Sequence, residues 1–308
     1  MLKYKIFSWF LAMGWCLSAA RAQGPVQLAL TAVFNESPSE LSTLKKPESF
    51  AISLTGDLYI ADTGHNRLVK FNAKGDYVTH VGGFGWKSNQ FDMPVDVACP
   101  DALNVYVADR NNQRIQRYDK NLEYISSLGS SKETELSSDQ NKKAFDLGYP
   151  AGVAVSSQGD LFCTDGERNV IRKVNRFGSV ESTFGGFSEG RGTLIHPTRV
   201  KVTSRFVYVV DETRIAVYDY YGNFISEVGS GVLQSAADVA VDDQGRLYVA
   251  DAGRRTVVVF NREGGVMPVV AGYEWTDPRA VAVHRGSLYV LDAGRGTIAV
   301  FNLVESAE

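Results

Sequence analysis

Leu58-Tyr59-Ile60-Ala61-Asp62 decides how the chain is organised, because the same phrase returns five more times. Its copies are Val105-Tyr106-Val107-Ala108-Asp109, Leu161-Phe162-Cys163-Thr164-Asp165, Val207-Tyr208-Val209-Val210-Asp211, Leu247-Tyr248-Val249-Ala250-Asp251 and Leu288-Tyr289-Val290-Leu291-Asp292. The Asp-to-Asp intervals are 47, 56, 46, 40 and 41 residues, so each copy marks one supersecondary unit of a repeat array. β-Branched and aromatic residues in a run of this length favour extended structure. Around each phrase the same pieces recur. An apolar run such as Val153-Ala154-Val155 comes first, usually led by Pro (47, 94, 150, 197, 278), and a glycine turn (56, 159, 245, 286) leads into the phrase itself. A polar loop and a third strand follow, as in Arg114-Ile115-Gln116-Arg117-Tyr118. A second hairpin then has Gly at 75, 178, 222 and 264, with Asn121 read as its counterpart in the second unit, positions expected to need positive φ. No stretch sustains a 3.6-residue apolar period, so helix is expected to be minor.

A four-stranded unit of this size cannot bury both faces alone, and repetition around an axis hides each apolar face against its neighbour. The expected fold is all-β, a six-bladed β-propeller of four-stranded antiparallel blades whose repeats start near 47, 94, 150, 197, 236 and 278. The sixth unit ends after its third strand, at Thr297 to Asn302. Residues 26–33 are apolar, extended and otherwise without a partner, and are expected to complete the last blade and lock the ring. Residues 23–308 then read as one domain.

The stretches Ile60-Ala61-Asp62-Thr63-Gly64-His65-Asn66-Arg67-Leu68 and Val107-Ala108-Asp109-Arg110-Asn111-Asn112-Gln113-Arg114-Ile115-Gln116 resemble NHL repeats. In later units Val170, Thr256 and Thr297 stand where that pattern has Arg, and the fourth has a shortened loop at Glu212-Thr213. The resemblance implies a β-propeller, in a family that includes binding modules, sensor ectodomains, RNA-binding domains and a few lyases. Fold alone therefore does not decide function. The lyases of that family hold zinc with His residues beside the first-strand Pro; here His196 precedes Pro197, while the corresponding positions beside Pro47, Pro94, Pro150 and Pro278 hold other residues.

Residues 1–22 carry Lys3 and Lys5, an apolar run from Ile6 to Leu17, and Ala20-Arg21-Ala22, the pattern of a secretory signal cleaved after Ala22. The expected address is secreted or periplasmic, with no membrane span after cleavage. The 32 Lys and Arg against 35 Asp and Glu give a net charge of −3, which argues against a surface built for phosphate backbones, and no nucleic-acid partner is expected. Cys99 and Cys163 take places where other units have Ile or Val and are read as buried free thiols, with a bridge between them the alternative that an oxidising compartment would permit. The polar connector from Ser130 to Leu147 reads as a mobile flap, a partner contact or a solvated excursion.

In this topology the loops joining the second to the third strand, and each unit to the next, share one face, which is the default ligand site. Arginines and aromatics are concentrated there, the pairing enriched in binding hot spots. Candidate ligand-binding residues are Arg67, Trp86 and Arg114 in the loops and Asp96, Arg199, Asp238 and Arg279 near the channel mouth, where Glu48 adds to a mixed-charge ring. The six Asp residues ending the repeated phrase are read as acceptors for loop N–H groups. No catalytic residue and no metal site emerge: four His are spread over the ring, and no phosphate loop, nucleophile elbow or clustered Cys is present. The expected function is that of a monomeric, non-enzymatic binding or scaffold propeller, recognising a protein, peptide or envelope glycan and needing no cofactor. The alternative is a lyase or hydrolase at the channel mouth, with calcium possible at Asp96, Asp238 and Glu48.

Overall fold

Each repeated phrase forms the second strand of a four-stranded meander. The computed structural model describes residues 25–129 and 146–304. Blade 1 comprises Ser49–Ile52, Leu58–Asp62, Arg67–Phe71 and Tyr77–Gly82, and blade 2 Pro94–Ala98, Asn104–Asp109, Arg114–Asp119 and Tyr124–Gly129. Blade 3 is Pro150–Val155, Leu161–Asp165, Val170–Val174 and Val180–Phe184, and blade 4 is Pro197–Val202, Phe206–Asp211, Arg214–Asp219 and Phe224–Val228. Blade 5 is Ala236–Val241, Leu247–Asp251, Thr256–Phe260 and Val266–Met267. The strands of each blade, named a to d from the axis outward, pair antiparallel in sequence order. Helix among the described residues is confined to three 3₁₀ turns in loops. The expected signal segment, residues 1–22, lies outside the described residues, as does most of the expected flap.

Blade 6 takes strands a to c from Pro278–His284, Ser287–Asp292 and Thr297–Val304, and its fourth from Val26–Phe34 at the other end of the chain. That closing strand runs antiparallel to strand c, from Gln27 opposite Val304 to Phe34 opposite Ile298, with a bulge at Thr31 whose Oγ1 donates to the Val300 carbonyl. A further strand covers its outer edge. Strand d of blade 5 pairs at home only through Val266 and Met267. Pro268 has no N–H for the ladder, and beyond it Val269–Ala271 lie parallel to Val26–Leu28. The Val26 N–H donates to the Pro268 carbonyl at 2.8 Å. The first strand is thus clasped on both edges.

The core is six apolar seams, each between neighbouring blades. Phe50, Ile60 and Val69 of blade 1 meet Ala280, Leu291 and Ile298 of blade 6, while Val26 and Leu28 join Tyr248, Val259, Val290 and Phe301 between blades 5 and 6. Seams at every junction, including the one the chain ends create, close the ring.

One turn corrects the sequence reading. The positive-φ residue in the second hairpin of blade 2 is Leu122 (φ 68°), not Asn121. Asp119 aligns with the turn-starting Asn72, Asn175, Asp219 and Asn261, and its carboxylate accepts from the N–H groups of Asn121 and Glu123, which puts the left-handed step one residue later. Leu122 is 6% exposed and packs against the blade 1 to blade 2 seam, so burial offsets the strain of a conformation that favours glycine.

Leu28→Ala is expected to cost about 2–5 kcal/mol of unfolding free energy, read by denaturant titration, because it opens a void in the seam that fastens the chain ends. Cys163 is buried and Cys99 half-buried, and both are free thiols. Burial, with Asp101 and Asp57 nearby, pushes the Cys99 thiol up to about 12, leaving almost no thiolate at pH 8. A thiol reagent is therefore expected to modify both only after denaturation; rapid labelling of the native protein would contradict this.

Candidate binding face and channel mouth

The six Asp residues at the ends of the b strands organise the loop face. All are 0–1% exposed, and a buried carboxylate is tolerated only when its oxygens are satisfied. Asp62 accepts from the Lys45 N–H, Asp109 from Asp92, Asp211 from Ile195 and His196, Asp251 from Gln234 and Ser235, and Asp292 from Thr276 and Asp277. Each of these N–H groups belongs to the segment leading into strand a of the same blade. Asp165 turns instead to the N–H groups of Glu167 and Arg168 and to the guanidinium of Arg172, 3.2 Å away. Arg172 thus supplies in blade 3 the charge absent at Val170.

Two candidate arginines belong to this framework. Arg67 donates from Nε to Asp62 at 2.7 Å and from Nη2 to the Thr43 carbonyl at 2.7 Å. Arg114 is 1% exposed. It donates to Asp109 at 2.8 Å and to the carbonyls of Trp86, Lys87 and Gln90, so it shapes the loop that presents Trp86. Burial raises the Asp109 carboxyl above the ordinary range, with Arg114 and the donors around it opposing that rise. Trp86, 48% exposed, and Phe84, 70% exposed, stand out from this loop, and Phe187 is 97% exposed in the loop between blades 3 and 4.

Near the axis, two more candidates stitch blades together. Asp96 accepts from Val153 N–H in blade 3 at 2.8 Å, from its neighbour Val97 and from the Ser49 hydroxyl in blade 1. Asp238 accepts from Val281 N–H in blade 6 at 3.0 Å and from Val239. Burial raises the Asp238 carboxyl, with Lys201 the foremost opposing charge. Both sit at the bulge of strand a, where a short acidic side chain reaches the next blade.

Arg199 occupies the same bulge position in blade 4 and crosses the channel. Its Nη1 donates to the Ala151 carbonyl at 2.9 Å and its Nη2 to the Glu48 carbonyl at 3.0 Å, on the opposite side of the ring. The Glu48 and Asp96 carboxylates lie 3.9 and 3.7 Å from its guanidinium. Arg199 thus lies against two of the three carboxylates named in the calcium reading, Glu48 and Asp96; among the described residues no group of three His, Cys, Asp or Glu side chains is arranged to hold a metal.

Above this bolt lies a well of about 480 Å³ lined by Glu48, Arg110, His196, Arg199, Glu212 and Arg279, among others. Below it, on the opposite face, is a smaller, mostly apolar cavity of about 250 Å³. Of the seven candidates, Arg199 and Arg279 therefore meet in the well, Asp96 and Asp238 lie buried by the axis, and Arg67, Trp86 and Arg114 stand in the blade-tip loops. Arg279 is partly exposed, pairs with Asp277 at 2.8 Å and lies 4.0 Å from Glu48. The sequence reading left His196 and Glu212 out of the site. Their signals were the position before Pro197 and the shortened fourth loop, where Glu212 has φ 56°.

An NHL-repeat family model matches residues 233–260, one blade's worth of the ring just described. The chain is a six-bladed β-propeller carrying an NHL repeat. The propeller is 30% identical to Protein brain tumor of Drosophila melanogaster over 123 residues, 38% of this chain and 12% of that protein. It is 36% identical to human NHL repeat-containing protein 3 over 77 residues, 24% of this chain and 22% of that one. It thus spans less than a quarter of the length of either relative. Virginiamycin B lyase of Staphylococcus aureus superimposes with a TM-score of 0.62 at 12% identity, covering 92% of this chain and 97% of the lyase. A streptogramin B lyase superimposes at 0.55 and 12%, over 87% and 86%. At such identity the likeness is one of fold.

Arg114→Ala is expected to destabilise the fold by roughly 3–5 kcal/mol, because it strands Asp109 as a buried unpaired charge. Arg279→Ala, whose ion pair is partly exposed, is expected to stay within about 0.5 kcal/mol of the parent. Denaturant titration of the two variants side by side separates framework from display.

Proposed function

We propose that the protein is an exported, non-enzymatic binding propeller that receives a polypeptide segment in the well of its loop face. The observation that carries this reading is the blind well itself: about 480 Å³, floored by Arg199 and lined by acidic Glu48 and Glu212 together with basic Arg279 and Arg110. Side chains of both signs suit a ligand that carries both signs, as a polypeptide does, whereas a phosphate backbone would meet two carboxylates. The exposed rings of Phe84, Trp86 and Phe187 on the surrounding loops add the apolar contacts in which binding energy concentrates. Export is supported by the signal-like residues 1–22.

Selection from a display library of random peptides is expected to return binders carrying both acidic and basic residues. Arg279→Glu is expected to weaken them at least about tenfold, and Trp86→Ala to weaken a subset, with thermal stability unchanged. Binders indifferent to both substitutions would remove the loop face as the site. N-terminal sequencing of protein from expressing cells is expected to begin at Gln23.

A further inference from the structure

The hairpins between strands c and d lie on the face opposite the well, and their third turn residue follows the repeat in three blades: Lys74, Asn121 and Glu263, all polar. Blades 3 and 4, which are neighbours, break that rule with Phe177 and Tyr221, 79% and 77% exposed. Large rings held in water at adjacent turns cost solubility without adding to the core, and here the two line one groove, which makes them a shared patch rather than scattered single residues. Between them runs a groove of about 490 Å³ lined by Gln158, Asp160, Lys173, Asn175, Glu181 and Tyr220 besides Arg176 and the two rings, a volume in the range of small-ligand sites.

Ion pairs and a hydrogen bond tie the floor of the groove together. Lys173 Nζ sits 4.5 Å from the centre of the Tyr220 ring and pairs with Glu181 at 2.9 Å and Asp160 at 3.3 Å. The Tyr220 hydroxyl donates to Asp160 at 2.7 Å. Blade 1 repeats the lysine arrangement in Lys70, Tyr59 and Asp57, so the lysine belongs to the blade, while Phe177, Tyr220 and Tyr221 are particular to this groove. Arg176 lies against the Phe177 ring at 4.9 Å. The two cations and two carboxylates balance, so the groove selects for neither sign of charge. The Gln158 backbone N–H donates to the Ser156 hydroxyl, and Asn175 Oδ1 accepts from the N–H groups of Phe177 and Ser179, but the exposed Gln158 side-chain amide and Asn175 Nδ2 bond no protein group among the described residues and can exchange solvent for a ligand.

We propose that this groove binds a neutral oligosaccharide, stacked on Phe177 and Tyr221 and hydrogen-bonded through Gln158, Asn175 and Glu181. A sugar ring presents apolar C–H faces to aromatic rings and a rim of hydroxyls to amides and carboxylates, without charge. The groove's rings, unpaired amides and electroneutrality match each of those features. The site is separate from the loop-face well and does not rest on the polypeptide reading.

Titration calorimetry of the full-length protein with maltohexaose, cellohexaose, xylohexaose and chitohexaose tests it. At least one is expected to bind. Phe177→Ser and Tyr221→Ser are each expected to weaken it about tenfold without lowering the melting temperature, because neither ring is in the core, while Arg279→Glu in the well leaves it unchanged. Silence with all four sugars, or binding that survives the double substitution, overturns the proposal. A protein ligand lost in those two variants, with the sugar titrations silent, assigns the patch to a protein interface and overturns it equally.

Discussion

A carboxylate with no access to water must find donors where it stands, and in this ring that requirement is met six times at the end of strand b. In five blades the donors are the N–H groups of the segment about to enter strand a; in the third they come from the b-to-c turn and two arginines. The loop face is therefore anchored to the strands beneath it by buried charge. An arginine drawn into that anchor, as Arg114 is, no longer has a guanidinium to offer a ligand. Display falls to whatever the carboxylates do not recruit.

The second constraint is closure. Six seams of similar composition give no blade a privileged role in the core, and a ring built this way opens most easily where the chain ends meet. There the structure adds a device seen at no other junction among the described residues. The closing strand pairs with strand c of blade 6 on one edge and with three residues beyond Pro268 on the other. Blade 5 gives up half of its outer strand for this, since Val269–Ala271 would otherwise continue along Val257 and Thr256. The exchange moves the shortened strand to a blade whose own chain is continuous.

Much of this was legible in the repeated phrase. The period marked the units as blades and the six copies set their number, the apolar stretch at 26–33 found its partner because the sixth unit lacked a strand, and recurrence identified the six Asp as framework. Leu122 was misplaced by one residue because glycine and asparagine signal positive φ, whereas a leucine held there by packing carries no local mark. Asp96, Asp238 and Arg199 share one register, three residues into strand a, yet that register means reaching the next blade for the acids and crossing the channel for the longer base. Strand alternation does not encode such a difference; it depends on the width of the closed ring. Pro268 was visible, but only the fold shows which edge the chain leaves and which it joins.

Arg199 and Arg279 divide the work of the well between them. The Arg199 guanidinium is buried, donates to carbonyls of blades 1 and 3, and faces two carboxylates. Moving it toward a ligand would strand those groups in a medium of low dielectric, which costs several kcal/mol per uncompensated ion. Arg279 pairs with Asp277 where both side chains are about a third exposed, and such a pair contributes under about 1 kcal/mol. Its guanidinium is free to exchange one carboxylate for another at little cost. On the polypeptide reading proposed above, a ligand acid entering the well would meet a buried positive floor and a half-exposed positive arm, with the Glu48 carboxylate 3.9 Å from the first and 4.0 Å from the second to repel it unless a basic group follows. That order of charges, rather than the net charge of the face, is what the proposal requires the well to read.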